Sequence, residues 1–473
     1  MTARAPTVVG SVLRTARRRL RPAAGGVSDE DLADIQGNVL RAYDNDHVAH
    51  LLVAVRDPRA GRCLLRDLHG RVTTATPWER PPRVTTNVAV TFAGLHVLEV
   101  SGDVLDDFPV AFRQGVRRAP MLGDREQSHP DEWTVGFRDD EVHLVVTLTA
   151  WQADHLDDAL GELTQRLEGD EHLDLLVTQQ AERFGDRCEH FGFVDGIAQP
   201  RLAGIDRRGT PTTGTPHPHH WEPLPIGEFV LGHRDAEGVR SPAPGGAWGR
   251  NGSYVVIRKL RQDVAAFRSL VEDVGVGYPG GATELAAKIV GRWQDGTPLA
   301  ASPDGPDPAI AADPARVNDF RFGDDEAGER CPVGSHVRRV NPRDGAGVGG
   351  SMTTRHRMIR RGVPYGPRLD ADARDDDGED RGLVFVCFVA DIERQFEFVQ
   401  RHWVNDGDVL GAGHDADPLV GRPQPNARFK VPGRDGAPPY LLPLEQPLVA
   451  VRGSLYLFQP GLRALRRLAD GRV

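Results

Sequence analysis

Cysteine is scarce in this chain. There are four in 473 residues, Cys63, Cys188, Cys331 and Cys387, and no C-x-x-C pair among them. This excludes a disulfide framework and reads as free thiols in a reducing compartment. Long apolar runs are also missing. No stretch reaches about 18 uninterrupted apolar residues, so no membrane-spanning helix is expected. Positive charge is not in excess either: the net charge is −10, which argues against nucleic acid or an anionic membrane as partner. The basic stretch Arg14–Pro22 lacks the apolar run that a twin-arginine export signal needs. Residues 1–27 therefore read as a mobile basic tail, and the expected location is cytoplasmic. No internal repeat is visible by eye. What is present, 39% hydrophobic and 27% charged residues, is the composition of a globular protein. The length suits two or three domains, or one large duplicated one.

Along the chain, Ser28 followed by Asp29, Glu30 and Asp31 makes an N-cap with acids in the first turn. His47–Val55, Val84–Phe92 and Glu141–Thr149 read as strands, and a short helix begins at Ala93. Ala153–Leu167 reads as an amphipathic helix with Leu156, Leu160, Leu163 and Leu167 on one face. Residues 203–250 are irregular and hold the cluster His217-Pro218-His219-His220. No Cys, Glu or Asp stands at a helical offset to complete a metal site there, so a solvated loop is the reading. In the second half, Tyr254–Leu260 and Leu383–Ala390 read as strands, and Ile392–Trp403 as a helix. Leu260, Val264, Phe267, Val271 and Val274 mark a second amphipathic helix. Residues 297–317 and the acidic loop Leu369–Arg381, with seven acids against two arginines, interrupt this half.

Phe191–Pro200, FGFVDGIAQP, sets Asp195 between Gly192 and Gly196 inside an apolar run. A carboxylate in such a place needs a partner or a task, because burying an unpaired charge costs several kcal/mol or shifts its pKa. The glycines point to a sharp turn or to backbone lying against something flat. Taken alone, the stretch reads first as a buried turn whose aspartate caps neighbouring N–H groups; two later motifs change that. Cys331–Arg343, CPVGSHVRRVNPR, holds a single histidine, His336, among arginines. Met358–Gly366, MIRRGVPYG, puts Arg360 and Arg361 ahead of a Pro-Tyr-Gly turn.

Together the three motifs resemble the dye-decolorizing (DyP-type) haem peroxidases, and in particular the longer members. The GxxDG motif reads Gly192-Phe193-Val194-Asp195-Gly196, and His336–Arg343 matches H-x-R-x-x-x-P-R. DIQGNVLRAY (Asp34–Tyr43), GEFVLGH (Gly227–His233), NGSYVVIRKLRQDVAAFR (Asn251–Arg268) and VRGSLYLFQPGLRALRRL (Val451–Leu468) follow the family in the same order, over roughly residues 30–470. One stretch departs from it: RGSLYLFQP (Arg452–Pro460) stands where many relatives have glycines and aromatics.

The resemblance implies an α+β fold of two ferredoxin-like halves, of the dimeric α+β barrel type. The antiparallel sheets would carry haem in the C-terminal half. It divides the chain into a tail 1–27, a half 28–202 ending in the Asp195 motif, an irregular connection 203–250, and a haem-binding half 251–473. It implies one haem b per chain, with His336 as proximal iron ligand and Asp417 as the first candidate for that ligand's carboxylate partner, ahead of Asp391 and Glu393. Asp195 takes the place of distal acid–base and Arg360 that of charge stabiliser, four residues before Pro364. Arg343 resembles a haem-propionate partner. Phe193, Ile197, Leu383, Phe385 and Phe458 are the expected apolar walls. The substrates would be hydrogen peroxide and an organic donor, a dye or phenol, oxidised through a ferryl intermediate. Trp403 and Tyr365 are candidate relays to large donors. Whether the chain forms a homo-oligomer stays open, as does cation binding by the acidic loop. Two other readings stand beside this one: a haem- or iron-handling protein with no main peroxidase role, and a metal-free protein that has kept only the fold.

Overall fold

The computed structural model describes residues 27–205, 212–213, 215–217, 220–345, 351–408, 411, 415–434 and 436–473. The basic tail up to residue 26 and the side chains of the cluster His217–His220 lie outside the described residues.

Runs of β-branched and apolar residues become a nine-stranded sheet. Its strands are β1 (His47–Val55), β2 (Val84–Thr91), β3 (Leu144–Ala150), β4 (Leu173–Glu182), β5 (Ser253–Gln262), β6 (Ile359–Arg360), β7 (Val363–Tyr365), β8 (Gly382–Val389) and β9 (Val449–Gln459). The order is β6-β8-β5-β9-β2-β3-β1-β4, with β7 also on β8, and neighbours run antiparallel. Within the first four strands the order is β2-β3-β1-β4. The last five repeat it as β6/β7-β8-β5-β9. This is the split βαβ pattern twice over, a duplication that shows in topology and not in the letters. The halves join where Leu457 pairs with Thr91 and Phe458 with Val90. The sheet curls until β7, at one end, lies against β4 at the other.

Strand alternation sorts the side chains. Val48, Leu52, Val145, Val255, Ile257, Val384 and Leu455 fill the inside of the curl. Ala49, Leu51, Val146, Val256 and Tyr456 face the helices. Those helices include α1 (Pro58–His69) and α2 (Ala153–Glu168), while α3 (Val264–Glu272) packs in a separate cluster with Phe191 and Phe193. Leu64, Leu65 and Leu68 of α1, and Leu156, Leu163 and Leu167 of α2, are buried on that outer face, each contributing about 1.5–3 kcal/mol. Among the described residues no helix is long and apolar enough to cross a membrane.

The structure moves some expected boundaries. The third strand starts at Leu144, not Glu141. Val142 is tied back to Arg138 in a turn, and the His143 ring accepts the Val55 N–H. Leu260 belongs to β5, so the helix after it begins at Val264, where Asp263 accepts the Ala266 N–H. The run Ile392–Val404 is wound as two wide π-type segments, Ile392–Glu397 and Val399–Val404, a winding common near functional sites.

One buried carboxylate gives the fold a pH signature. Asp139 accepts the N–H groups of Val116 and Tyr456, and burial pushes it up to about 7. The folded chain keeps that proton where the unfolded chain releases it, so this group removes stability as pH rises from about 4 to 7. Burial pulls His50 and His190 down to about 4, which has the opposite slope. Asp139→Asn is therefore expected to gain stability relative to the wild type as pH goes from 5 to 7, in urea denaturation at matched pH values. Parallel curves for the two proteins would show that Asp139 does not titrate there.

Candidate active site

The Asp195 loop is built around backbone turns and one carboxylate. Gly192 and Gly196 have φ of +91° and +76°, a left-handed conformation that L side chains rarely adopt. The Asp195 N–H donates to Arg187 O at 3.1 Å and that of Val194 to Gln294 O at 3.0 Å. Phe191 stacks on Phe267 of α3 with ring centroids 4.6 Å apart. The loop is thus pinned on both flanks, while Asp195 itself stands at the wall of a cavity. Glu189 supplies the internal support: its carboxylate accepts from the N–H groups of Phe191 and Phe193 and from Gln262.

His336 opens the short helix α4 (His336–Val340), behind Ser335. Its Nδ1 lies 2.9 Å from Asp417 Oδ2. The other oxygen of Asp417 accepts the N–H groups of Leu419 and Val420, at 2.9 and 3.1 Å. Burial works against the charged forms of both partners. Their pairing outweighs it: His336 is raised above its ordinary range and Asp417 is held below the usual carboxylate range. The arginines that made His336 look like a surface residue are structural. Arg338 pairs with Asp325, and Arg339 donates to Trp403 O and Asp415 O. Nδ1 is thus fixed, and the ring is 28% exposed, toward the cavity. Of the other two candidate partners, Asp391 caps the segment Ile392–Glu397 and Glu393 pairs with Arg118.

Arg360 and Arg361 are neighbours that both line the cavity but hold different partners. The Arg360 guanidinium donates to Ala198 O at 3.3 Å and its N–H to Gln199 Oε1. Its charge, with that of Asp195, reaches His336. Arg361 donates instead to Asn38 O, near Tyr43. Arg343 is buried, donates to Asn318 O and Phe320 O, and stacks 3.5 Å over the Phe320 ring. Burial and the neighbouring Arg292 and Arg357 hold its pKa well below the ordinary arginine value. Arg292 and Asn318 do not stand out in the sequence. Arg292 donates to Asn318 Oδ1 and Asn318 to Ile197 O, which links the Asp195 loop to Arg343. Glu189 is missed as well, because an acid a few residues before an Asp-Gly turn reads as part of the turn.

A cavity of about 770 Å³ gathers these groups, within the range of cofactor sites. Asp195, His336, Arg343 and Arg360 line it, with Phe193, Ile197, Leu383, Phe385, Leu419 and Val420 as apolar wall. Phe458 does not. It sits on the helix face of β9 against Phe108, Trp248 and Tyr254, while its neighbour Leu457 lines the cavity. Period-2 alternation decides this: one residue along a strand reverses the face. The candidate relays Trp403 and Tyr365 are each 4% exposed, so neither presents a surface to a large donor. Tyr365 donates to Asp380 in the acidic loop, whose other acids Asp376 and Asp377 pair with Arg261 and Arg381.

The residues fit a haem. One imidazole nitrogen is held by a buried carboxylate, as metal-bound histidines usually are. The other side of the ring opens on an apolar cavity, and arginines stand at its wall for acidic side groups.

The comparisons agree in sequence and in fold. Residues 34–172 match the model of the DyP dimeric alpha+beta barrel domain, and residues 233–411 that of the Dyp-type peroxidase, C-terminal. Dye-decolorizing peroxidase msp1 of Mycetinis scorodonius is 30% identical over 92% of this chain and 87% of its own. Multifunctional dye peroxidase DyP2 of Amycolatopsis sp. is 30% identical over 94% and 97%. A solved dye-decolorizing peroxidase in complex with 2,6-dimethoxyphenol superposes with a TM-score of 0.79 at 27% identity, over 93% and 99%. With both family models in order along the chain and relatives alike over nearly its whole length, this chain belongs to the DyP-type peroxidases.

Proposed function

We propose that this peroxidase reduces hydrogen peroxide and oxidises dyes and phenols at one haem b per chain, held by His336. The carrying observation is one cavity that brings together His336, backed by Asp417, with Asp195 and Arg360. When bound, the haem supplies the redox centre that accepts oxidising equivalents from peroxide and passes them to donors. Asp195 removes a proton from one peroxide oxygen and returns it to the other, within direct or one-water reach. Arg360 stabilises negative charge on the departing oxygen, an interaction strengthened by the apolar wall of Ile197, Leu383 and Phe385. Asp417 keeps the Nδ1 proton of His336 in place and makes the ring a stronger donor through its other nitrogen. Arg343, with Arg292 beside it at the cavity wall, would pair with the haem's carboxylates. The bound 2,6-dimethoxyphenol of the solved relative supports phenols as donors. A reducing, cytoplasmic location belongs to the same reading, since all four cysteines are free thiols.

The test is turnover by purified holoprotein with hydrogen peroxide and either 2,6-dimethoxyphenol or an anthraquinone dye. A full Soret band without turnover would favour the haem-handling alternative. Asp417→Asn keeps the shape and removes the charge. It is expected to speed haem loss to apomyoglobin about 10–100-fold; an unchanged rate would remove Asp417 from its role.

A further inference from the structure

The Asp195 loop is held from within by a residue that the peroxide chemistry does not itself use. Glu189 Oε2 accepts the Phe191 N–H at 2.9 Å and the Gln262 amide at 2.6 Å, while Oε1 accepts the Phe193 N–H at 3.1 Å. The Glu189 backbone completes the closure: its N–H donates to Phe193 O and its carbonyl accepts the Gly192 N–H, both at 2.9 Å. Gln262 ends β5, and its own N–H donates to Arg381 O. One carboxylate therefore fastens both sides of the turn that precedes Asp195 to a rigid strand.

We propose that Glu189 is a positioning residue for peroxide activation, setting where the Asp195 carboxylate stands; this rests on the reading of Asp195 as the distal acid–base. The physical reason is the steep dependence of proton transfer on placement. A shift of about 1 Å in a reacting group costs on the order of 10²-fold, and groups on loops need a supporting set of bonds to hold that tolerance. A glutamine in this place has only one accepting oxygen. Its amide would set a donor against one of the two loop N–H groups, so one bond becomes a repulsion. Burial also pushes Glu189 up to about 7, and the Asp195 charge adds to that shift. The two carboxylates are thus electrically in touch as well as joined through the loop.

The experiment is stopped-flow reaction with hydrogen peroxide for holoprotein of wild type, E189Q, D195N and E189Q/D195N, with the donor-oxidation phase recorded separately. E189Q is expected to slow the peroxide phase about 10–100-fold, with haem content and donor phase unchanged. In the D195N background the same change is expected to have little further effect, because the residue it positions is gone. Equal losses in both backgrounds would make Glu189 structural only and overturn the proposal. A slow D195N with a wild-type E189Q would overturn it too, while leaving Asp195 in place. A wild-type rate in D195N would instead overturn the Asp195 reading beneath it. If E189Q does not fold, Q262L takes its place. It removes one bond to Glu189, and a smaller loss confined to the peroxide phase is then expected; no loss overturns the proposal.

Discussion

His336→Ala is expected to give a folded protein that purifies nearly free of haem and has no measurable peroxidase turnover. Among the described residues the imidazole's hydrogen bond is to Asp417. The sheet, the apolar clusters on its two faces and the arginines around α4 stay as they are. Cofactor retention is another matter. Loss of an outer partner alone typically costs about 10–100-fold in metal affinity, and here the ligand itself goes. The change also leaves Asp417 buried with its charge unpaired, a cost of several kcal/mol unless it takes up a proton. Some loss of stability should therefore accompany the loss of haem. The measurement is the Soret-to-280 nm absorbance ratio after haemin titration, with circular dichroism as the check on folding. Exogenous imidazole, which can enter the space left behind, is expected to restore part of the Soret band. Full haem with an unchanged spectrum would take His336 out of the role.

Arg360→Leu is expected to slow the reaction with peroxide at least as much as Asp195→Asn does. Losing one preorganised charge stabiliser costs about 3–4 kcal/mol, or 10²–10³ in rate. Losing a general acid–base costs about 10²–10⁴, but water can take over part of a proton transfer, and it cannot replace a fixed cation. The double variant should fall short of the product of the two losses, since both groups act on one bound peroxide in one step. Arg361→Leu is the control. Its guanidinium donates to Asn38 O and the Arg360 carbonyl, so it should leave the peroxide rate unchanged. If Arg360→Leu reacts at the wild-type rate with haem in place while Arg361→Leu is slow, the two assignments exchange.

Much of this was open to reading in the sequence. Strands rich in valine, such as His47–Val55, announce themselves because burial on both faces demands an unbroken apolar run. Ser28 marks a helix start because a side-chain oxygen must satisfy an N–H there. The helix at Pro58–His69 was open to reading too, through Asp57 as cap and Pro58 in the first turn; its Asp-Pro pair reads more readily as the end of a strand. What stays hidden is what distance in sequence hides. Arg292, Asn318 and Arg343 form one hydrogen-bonded group with Ile197 across more than a hundred residues. Nothing in the local pattern of any of them announces the others. Phe458 was misplaced for a different reason: aromatic character says that a residue is buried, while only strand register says on which face.

The place of β9 has a consequence for how the molecule comes into being. This strand follows the other eight of its sheet in sequence, yet it stands inside the sheet, between β5 and β2. Until Val449–Gln459 has left the ribosome, β1 to β4 and β5 to β8 have no strand to join them. Each set keeps an unpaired edge exposed, at β2 and at β5, of the kind that invites pairing with another chain. Contacts so far apart in sequence form late and slowly. Peroxidase cut before Val449 should therefore aggregate rather than accumulate as a half-active form, and loading of the cofactor should follow synthesis of this strand.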